Sequence, residues 1–512
     1  MKSLKSAASL VFILAACLAL ALPLALFTPP KDSEIGLFQV INEMQSSSRY
    51  VPLLNSESVK VQNPLTATAM SLLPVMDITT PRLASVLLGC ALVGCLFFYS
   101  LVMFDLSCAI VSSLVAMTSL GFLSVFSTLN FTALPVALAA ASYGIFSATY
   151  IKGLKTGMYI ISYILAALAT VTGGYFMLMF FMFGVLLLIL LDLAPEEFFS
   201  IHIIPGLAII ACSMAAYYTT YRFILGQSFS DSAFSPGAHL GLFKGIYAFF
   251  TYSCPWIFLL IPAWLYGGGP SDKNAWRTWL PLRIALVVLF LMLWASSASV
   301  SQYAALCAIF SAPMTGCWLS RSVLPGMSKS ALGFWMLAFS GITVIISAMV
   351  LLLLPLYLGF AIQTKQLIAG IALFFTAFAF IILSLKQRTS GQFVLTLLAV
   401  AAISWHLAFL DPENQWDQKI NYMNDISRNA PLIVYEDDLV MRGYMSAVVA
   451  NPMVVDRNAV PLTERAFLAV STSDLEGLLE GLKGNMQSVL VDSYRAENTY
   501  ALVMLSPKRH FQ

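Results

Sequence analysis

The sequence predicts an all-α polytopic membrane protein of about 13 transmembrane helices, followed by a small C-terminal extracytoplasmic α/β domain. Three observations carry this. Hydrophobic residues make up 59% of the chain and charged ones 10%, with a mean hydropathy of +0.84; a water-soluble domain carries about a quarter charged residues. Apolar runs long enough to cross a bilayer core recur along the first four-fifths of the chain. From Asp411 the composition then changes abruptly: residues 410–512 hold 14 of the 25 acidic and 9 of the 27 basic residues.

A bilayer core of ~30 Å needs about 20 apolar residues per helix. Spans are expected near 9–28, 84–104, 107–127, 132–150, 157–173, 175–192, 200–219, 244–266, 279–297, 303–320, 335–358, 366–385 and 392–409. The crowded stretch 107–192 also allows two weak helices to merge or re-enter. Cytoplasmic loops are enriched in Lys and Arg. With the N-terminus inside, those loops collect Lys2, Lys5, Lys152, Lys155, Lys273, Arg277, Arg321, Lys329, Lys386 and Arg388. The inner turns near Asp105 and Asp192 lack such a pair. An odd number of spans then puts the C-terminal domain outside. Leu14-Ala15-Ala16-Cys17 is lipobox-like, but the apolar run continues to Phe27, which favours an uncleaved anchor.

In the C-terminal region, β-rich runs at 431–435, 452–456, 466–470, 488–492 and 500–505 alternate with helical stretches at 439–450 and 474–484. The second stretch is amphipathic, with Leu475, Leu478, Leu479 and Leu482 on one face behind an Asp474 N-cap. Strands alternating with helices predict an α/β domain. It carries no Gly-rich phosphate loop and no His/Cys cluster, so a lid or acceptor-docking module fits better than a catalytic one.

Much chemistry is excluded. Net charge is +2 and no basic run occurs, so nucleic acid is not an expected partner. The eight cysteines lie in or beside apolar stretches without a CxxC, implying buried small hydrophobes rather than disulfides or zinc ligands. No cofactor motif is evident, although two or three carboxylates could bind a divalent ion transiently. At the outer face, the eligible acids before position 410 are Asp32, Glu34, Glu43, Glu57, Asp77 and Asp231, and the eligible loop histidine is His239. His202 and His406 lie in or at the ends of apolar spans and read as packing residues.

Five of these acids fall in one segment, from Lys31-Asp32-Ser33-Glu34 to Pro81-Arg82-Leu83, just after the first span. Charges near lipid are costly, so clustering them beyond one helix end marks a place for polar chemistry. Pro29-Pro30 stop the first helix. Residues 35–44 then have helical apolar spacing (Leu37, Phe38, Ile41, Met44), which predicts a short interfacial helix with Asp32, Ser33 or Glu34 at its N-terminus. The acids there read either as helix caps or as a general base held at the membrane edge. Arg82 and Lys244 read either as phosphate ligands or as side chains snorkelling at helix ends.

The order of motifs resembles a known family. An acidic start, a helix ending Asn42-Glu43-Met44, then Arg49-Tyr50-Val51-Pro52-Leu53-Leu54-Asn55, Asn63-Pro64-Leu65 and Pro81-Arg82-Leu83 are similar to the GT-C fold polyprenyl-phosphate-sugar glycosyltransferases, in particular the lipid A aminoarabinose transferase and protein O-mannosyltransferase-like group. His239-Leu240-Gly241-Leu242-Phe243-Lys244 leading to Cys254-Pro255-Trp256 resembles the family's outer loop and Pro-Trp span. The segment 293–303 stands where the family has a Ser-Lys turn before a Tyr. The resemblance covers nearly the whole length. It implies a GT-C-like transmembrane domain at 1–409, with the proposed site in the first outer loop at 29–83, and a soluble periplasmic domain at 410–512. It also implies a bacterial inner membrane location with the N-terminus cytoplasmic.

The implied reaction transfers a sugar from polyprenyl (undecaprenyl) phosphate to a lipid A-like glycolipid, another envelope glycan or a protein hydroxyl at the outer face. Asp32 or Glu34 is then the base, and Lys60, Arg82, His239 and Lys244 hold the phosphate. This chain departs from the pattern in three places. Aligned on Glu43-Met44, Ser33 takes the place of the family's catalytic aspartate, with Asp32 one residue early and Glu34 on the adjacent glutamate. Gln62 replaces the lysine before the Pro-Pro motif, with Lys60 two positions upstream, and the Ser-Lys turn has no lysine. Those departures leave a catalytically silent relative as an alternative, alongside a transporter or flippase of lipid-linked sugars. A transporter usually shows internal repeats and polar midplane sites; here no repeat is evident, and only Arg283 lies well inside a span.

Overall fold

A computed structural model of the chain describes residues 2–27, 32–46, 53–54, 57–58, 64–73, 78–192, 202–219, 256–266, 273–295, 300–320, 364–386, 432–435, 453–455, 466–471, 486–495 and 499–507, with isolated positions within 246–253 and 342–352. In chain order the elements are α1 (Lys2–Phe27), α2 (Asp32–Ser46), the two-residue strands β1 (Leu53–Leu54) and β2 (Glu57–Ser58), α3 (Pro64–Ser71) and α4 (Thr79–Met103). Then follow α5 (Leu106–Met117), α6 (Leu120–Phe126), α7 (Ala133–Lys152), α8 (Gly157–Gly173), α9 (Tyr175–Leu191) and α10 (Ile203–Thr219). After them come α11 (Ile257–Tyr266), α12 (Lys273–Ala295), α13 (Val300–Trp318) and α14 (Thr364–Lys386). The strands β3 (Leu432–Tyr435), β4 (Met453–Val455), β5 (Ala466–Ser471), β6 (Met486–Arg495) and β7 (Thr499–Pro507) complete the set.

The chain forms two compact units. One comprises Met1–Ala25, Gln62–Thr66 and Leu83–Leu410; the other comprises Leu26–Val61, Ala67–Arg82 and Asp411–Gln512.

In the first unit, most described helices fall where apolar runs predict them. By length and composition, Lys5–Leu26, Thr79–Met103 and Ala133–Lys152 can each cross a membrane. The expected spans 335–358 and 392–409 lie wholly or largely outside the described residues, and 244–266 is described mainly as α11.

The expected span 107–127 is two helices rather than one straight helix. Helices α5 and α6 meet at a bend of 64°. The break has a local cause: Thr118 and Ser119 satisfy the backbone that the bend exposes. Thr118 Oγ1 donates to Leu114 O at 2.6 Å, Ser119 Oγ donates to Ala116 O at 2.7 Å, and Ser119 caps α6 by accepting from Phe122 N. Within lipid every backbone polar group needs a partner inside the protein, and side-chain hydroxyls supply it here. The indole N–H of Trp256 donates to the same Thr118 hydroxyl at 2.9 Å and pins the bend.

Helix packing inside a membrane relies on close contact and small residues rather than on water exclusion. Gly316 shows this: a Cβ there would lie 2.5 Å from both Cα and N of Ser112, so α13 rests against the α5 backbone. Cys108 Sγ and Ser320 Oγ meet at 3.0 Å along the same seam. Gly174, at φ +78°, makes the tight turn between α8 and α9. An aromatic cluster of Tyr143, Phe180 and Phe310 fills the centre, and the buried Tyr143 hydroxyl donates to Pro281 O at 2.9 Å. His202 packs as expected, stacked on Tyr159 at 3.8 Å.

In this unit Asp192, Arg277, Arg283 and Asp105 are held by specific partners. Asp192, at the C-terminal end of α9, accepts from Arg277 Nε and Nη2 and from the Tyr150 hydroxyl, tying α7, α9 and α12 together. This accounts for an acidic turn without its own basic pair: a neighbouring turn supplies the cation. The hydrogen bond to Asp192 raises the Arg277 pKa above its ordinary value. Arg283, inside α12, donates to Trp264 O at 2.9 Å and lies over the Trp276 ring at 4.4 Å. Asp105 caps α5 by accepting from Cys108 N.

In the second unit, the five C-terminal strands form one mixed sheet in the order β4-β3-β5-β7-β6. Strand β3 runs parallel to β4 and β5, whereas β7 is antiparallel to β5 and β6, with a register shift between Leu490 and Asp492. All five fall on the runs expected from sequence. Parallel neighbours require crossover connections of a dozen or more residues, and the expected helix at 439–450 sits in the β3-to-β4 crossover. That stretch and 474–484 lie outside the described residues.

Candidate active site

The segment after α1 begins with α2, which follows the expected apolar spacing. Phe38, Ile41 and Met44 are all buried along one face, with Val40 beside them. Asp32 and Ser33 open this helix, one turn before its first buried apolar residue; their side chains lie outside the described residues. Glu34 follows in the same turn. At the other end of α2, Gln45 Nε2 donates to Ser71 O at 3.0 Å and to Leu73 O, which ties α2 to the end of α3. Between them β1 and β2 pair antiparallel, with Leu53 opposite Ser58 and Leu54 opposite Glu57.

Arg82 lies in the first turn of α4, just after Pro81, a position where proline is tolerated because its missing N–H has no intrahelical partner. Helical side chains lean toward the N-terminus, so Arg82 reaches back along the loop rather than along the span. It meets Glu34 across 48 residues of sequence: Arg82 Nε donates to Glu34 Oε1 at 3.0 Å and Nη2 donates to Oε2 at 2.7 Å. The contact is bidentate and charge-assisted, the strongest arrangement for this pair of groups. Both members are buried, at 2% and 3% exposure. Arg82 therefore does not snorkel at a helix end; its charge is held inside.

Of the residues singled out from sequence, the structure brings Glu34 and Arg82 together. It places Asp32 two residues before Glu34 in the same helix. Lys60, His239 and Lys244 lie outside the described residues. The Glu34–Arg82 pairing has no signature in the sequence, since neither spacing nor periodicity links residues so far apart. Gln45 was likewise not anticipated.

The pair constrains the chemistry available. Both Glu34 oxygens accept from guanidinium N–H groups, so its charge is already engaged by Arg82. Among the described residues, no three His, Cys, Asp or Glu side chains group as a metal ion requires. What the pair does provide is a guanidinium plane fixed in orientation at the start of α4.

No protein-family model matches the sequence, and no curated protein matches it. The structure, however, is similar along its length to that of ArnT from Cupriavidus metallidurans. Against the apo state the TM-score is 0.69 at 12% identity, covering 96% of this chain and 97% of that one. Against the structure bound to undecaprenyl phosphate the TM-score is 0.65 at 13% identity, with coverage of 96% and 97%. The chain thus has the GT-C fold, as the order of its loop motifs led us to expect, and is a helical membrane protein.

Proposed function

We propose that the protein is an integral membrane glycosyltransferase that moves a sugar from polyprenyl (undecaprenyl) phosphate to a lipid A-like glycolipid or another envelope acceptor, at the outer face of a bacterial inner membrane. The observation that supports this best is the end-to-end likeness to ArnT, including its undecaprenyl phosphate-bound form, over 96% of the chain. The Glu34–Arg82 pair at the head of the first loop supplies a fitting anion ligand. In this reading the acceptor oxygen attacks the anomeric carbon while the bond from that carbon to the phosphate oxygen breaks. The polyprenyl phosphate leaves with the bonding electrons, and the acceptor's proton passes to a carboxylate.

The buried pairing favours Asp32 over Glu34 as that carboxylate. Glu34 then acts as a positioning residue, orienting Arg82 toward the leaving phosphate together with Lys60, His239 and Lys244. The C-terminal residues 410–512 form a periplasmic α/β domain that docks the acceptor.

The test uses membranes carrying the protein and a labelled sugar on polyprenyl phosphate. Transfer to an endogenous glycolipid or glycan is expected, and Asp32→Asn should lower it about 10²–10⁴-fold, the usual contribution of a general base. Full transfer by both Asp32→Asn and Glu34→Gln would refute the assignment of the loop as the active site. Movement of the carrier across the bilayer without any transfer would establish a flippase instead.

A further inference from the structure

One apolar groove in the first unit has no part in the proposed transfer. It lies between α4, α7, α12 and α13, has a volume of about 270 Å³, and is lined by residues such as Leu96, Tyr99, Gly144, Leu282 and Phe310. Along α4 it runs from Leu92 to Val102, about 15 Å at the rise of an α-helix. That is about one leaflet of a ~30 Å hydrocarbon core. Phe98 and Val102, both exposed, border it on the outside of the bundle. Its small residues, Ala140, Ala141, Gly144 and Ala148, recur along α7 and leave the space that larger side chains would fill.

The end of the groove is what identifies its occupant. Leu154, from the connection between α7 and α8, and Met158, in the first turn of α8, line it there. Gly153, at φ +63°, ends α7 in a left-handed turn, and Leu154 N donates back to Thr149 O at 3.2 Å. This turn fixes Leu154 at the groove with Lys152 and Lys155 on either side of it in sequence, both exposed. The stretch 133–174 contains no acidic residue. Among the described residues, two acids stand at other turns of this unit that bear on the same end. Asp192 is engaged by Arg277 and Tyr150, and Asp105 caps α5. Neither lysine makes an ion pair among the described residues.

We propose that this groove holds an acyl chain of an anionic glycerophospholipid whose headgroup phosphate is bound by Lys152 and Lys155. The apolar groove takes the chain, and the lysine pair takes the charge at the depth where a phosphate sits. By the excess of Lys and Arg in the loops at this end, the lipid belongs to the cytoplasmic leaflet, where anionic lipids attract basic segments. The site is independent of the sugar-transfer reading and depends on none of its residues.

The experiment is native mass spectrometry of the detergent-purified full chain, loaded with equimolar dioleoylphosphatidylglycerol and dioleoylphosphatidylcholine. Retention of the anionic lipid is expected to exceed that of the zwitterionic one by about tenfold, within what two basic residues near a phosphate supply. The double substitution Lys152→Gln/Lys155→Gln, on an exposed turn, should bring that ratio close to one. Ala141→Phe, which fills the groove, should lower retention of both lipids, and Gly144→Leu is a second groove variant should the first fold poorly. A ratio near one for the wild-type chain overturns the proposal, as does an unchanged ratio in the lysine variant. Undiminished retention in folded groove variants overturns it too. So does displacement of the anionic lipid by undecaprenyl phosphate in a manner that requires Lys152 and Lys155.

Discussion

Replacing Glu34 by Gln keeps the shape of the side chain and removes its charge, so it isolates what the carboxylate does for Arg82. The pair is bidentate, at 3.0 and 2.7 Å, and its members are 3% and 2% exposed. An exposed ion pair contributes about 0–1 kcal/mol. Breaking a buried one by removing one partner costs about 3–5 kcal/mol. The geometry places this pair in the second class. At 1.4 kcal/mol per factor of ten, local opening around α2 should become about 10²–10⁴-fold more frequent. Amide hydrogen exchange of the full chain in detergent reads this directly. Peptides from α2 and the first turn of α4 should exchange faster by that factor in Glu34→Gln, while peptides from α7 and α9 should not change. The double variant Glu34→Leu/Arg82→Met should recover much of the protection, since apolar replacement of both partners is often close to neutral. An acceleration of less than about fivefold in Glu34→Gln, the effect of a surface pair, would refute the reasoning.

Two further substitutions probe the transmembrane packing. Thr118→Val removes the acceptor for the buried Trp256 indole N–H and should cost about 1–3 kcal/mol, the penalty for orphaning a buried donor; thermal unfolding with a shifted tryptophan emission checks it. Gly316→Ala drives a methyl group to 2.5 Å from the Ser112 backbone and should cost at least about 1–3 kcal/mol, seen as a lowered unfolding midpoint; a neutral result would mean that α13 and α5 do not pack this closely.

Where the sequence was legible, one residue pattern decided the local structure. The 37, 38, 41, 44 spacing predicted α2, and each β-rich run of the C-terminal region became a strand of the sheet. Where it failed, the deciding contact was either local and polar or distant. Hydropathy averages over Thr118-Ser119, so the bend between α5 and α6 could not be read from an apolar run. Helix α12 begins at Lys273, six residues before the expected span, because hydrogen bonding continues a helix beyond the lipid-compatible stretch. The candidate site divides in the same way. That Asp32 and Glu34 would stand at a helix N-terminus followed from spacing. That Arg82 would turn inward and close on Glu34, rather than outward to the interface, depended on a contact between segments 48 residues apart.

The charged residues of this chain separate by how they are satisfied, and the separation bears on function. Arg277 is 48% exposed and its contact with Asp192 lies at a helix end, where such a pair contributes little. Arg283 sits within α12 but is served by a carbonyl and an aromatic face. Glu34 and Arg82 differ from both, because each is removed from solvent and held by the other. Stability alone does not account for that choice: an apolar pair of similar volume would often be as stable or more so. A guanidinium oriented by a buried carboxylate has a use that an apolar pair lacks, namely to present fixed N–H donors to an anion without paying for their orientation at the moment of binding. The desolvation cost of the pair thus supports the proposal that phosphate is bound at the start of α4, with Glu34 supporting Arg82 rather than transferring a proton.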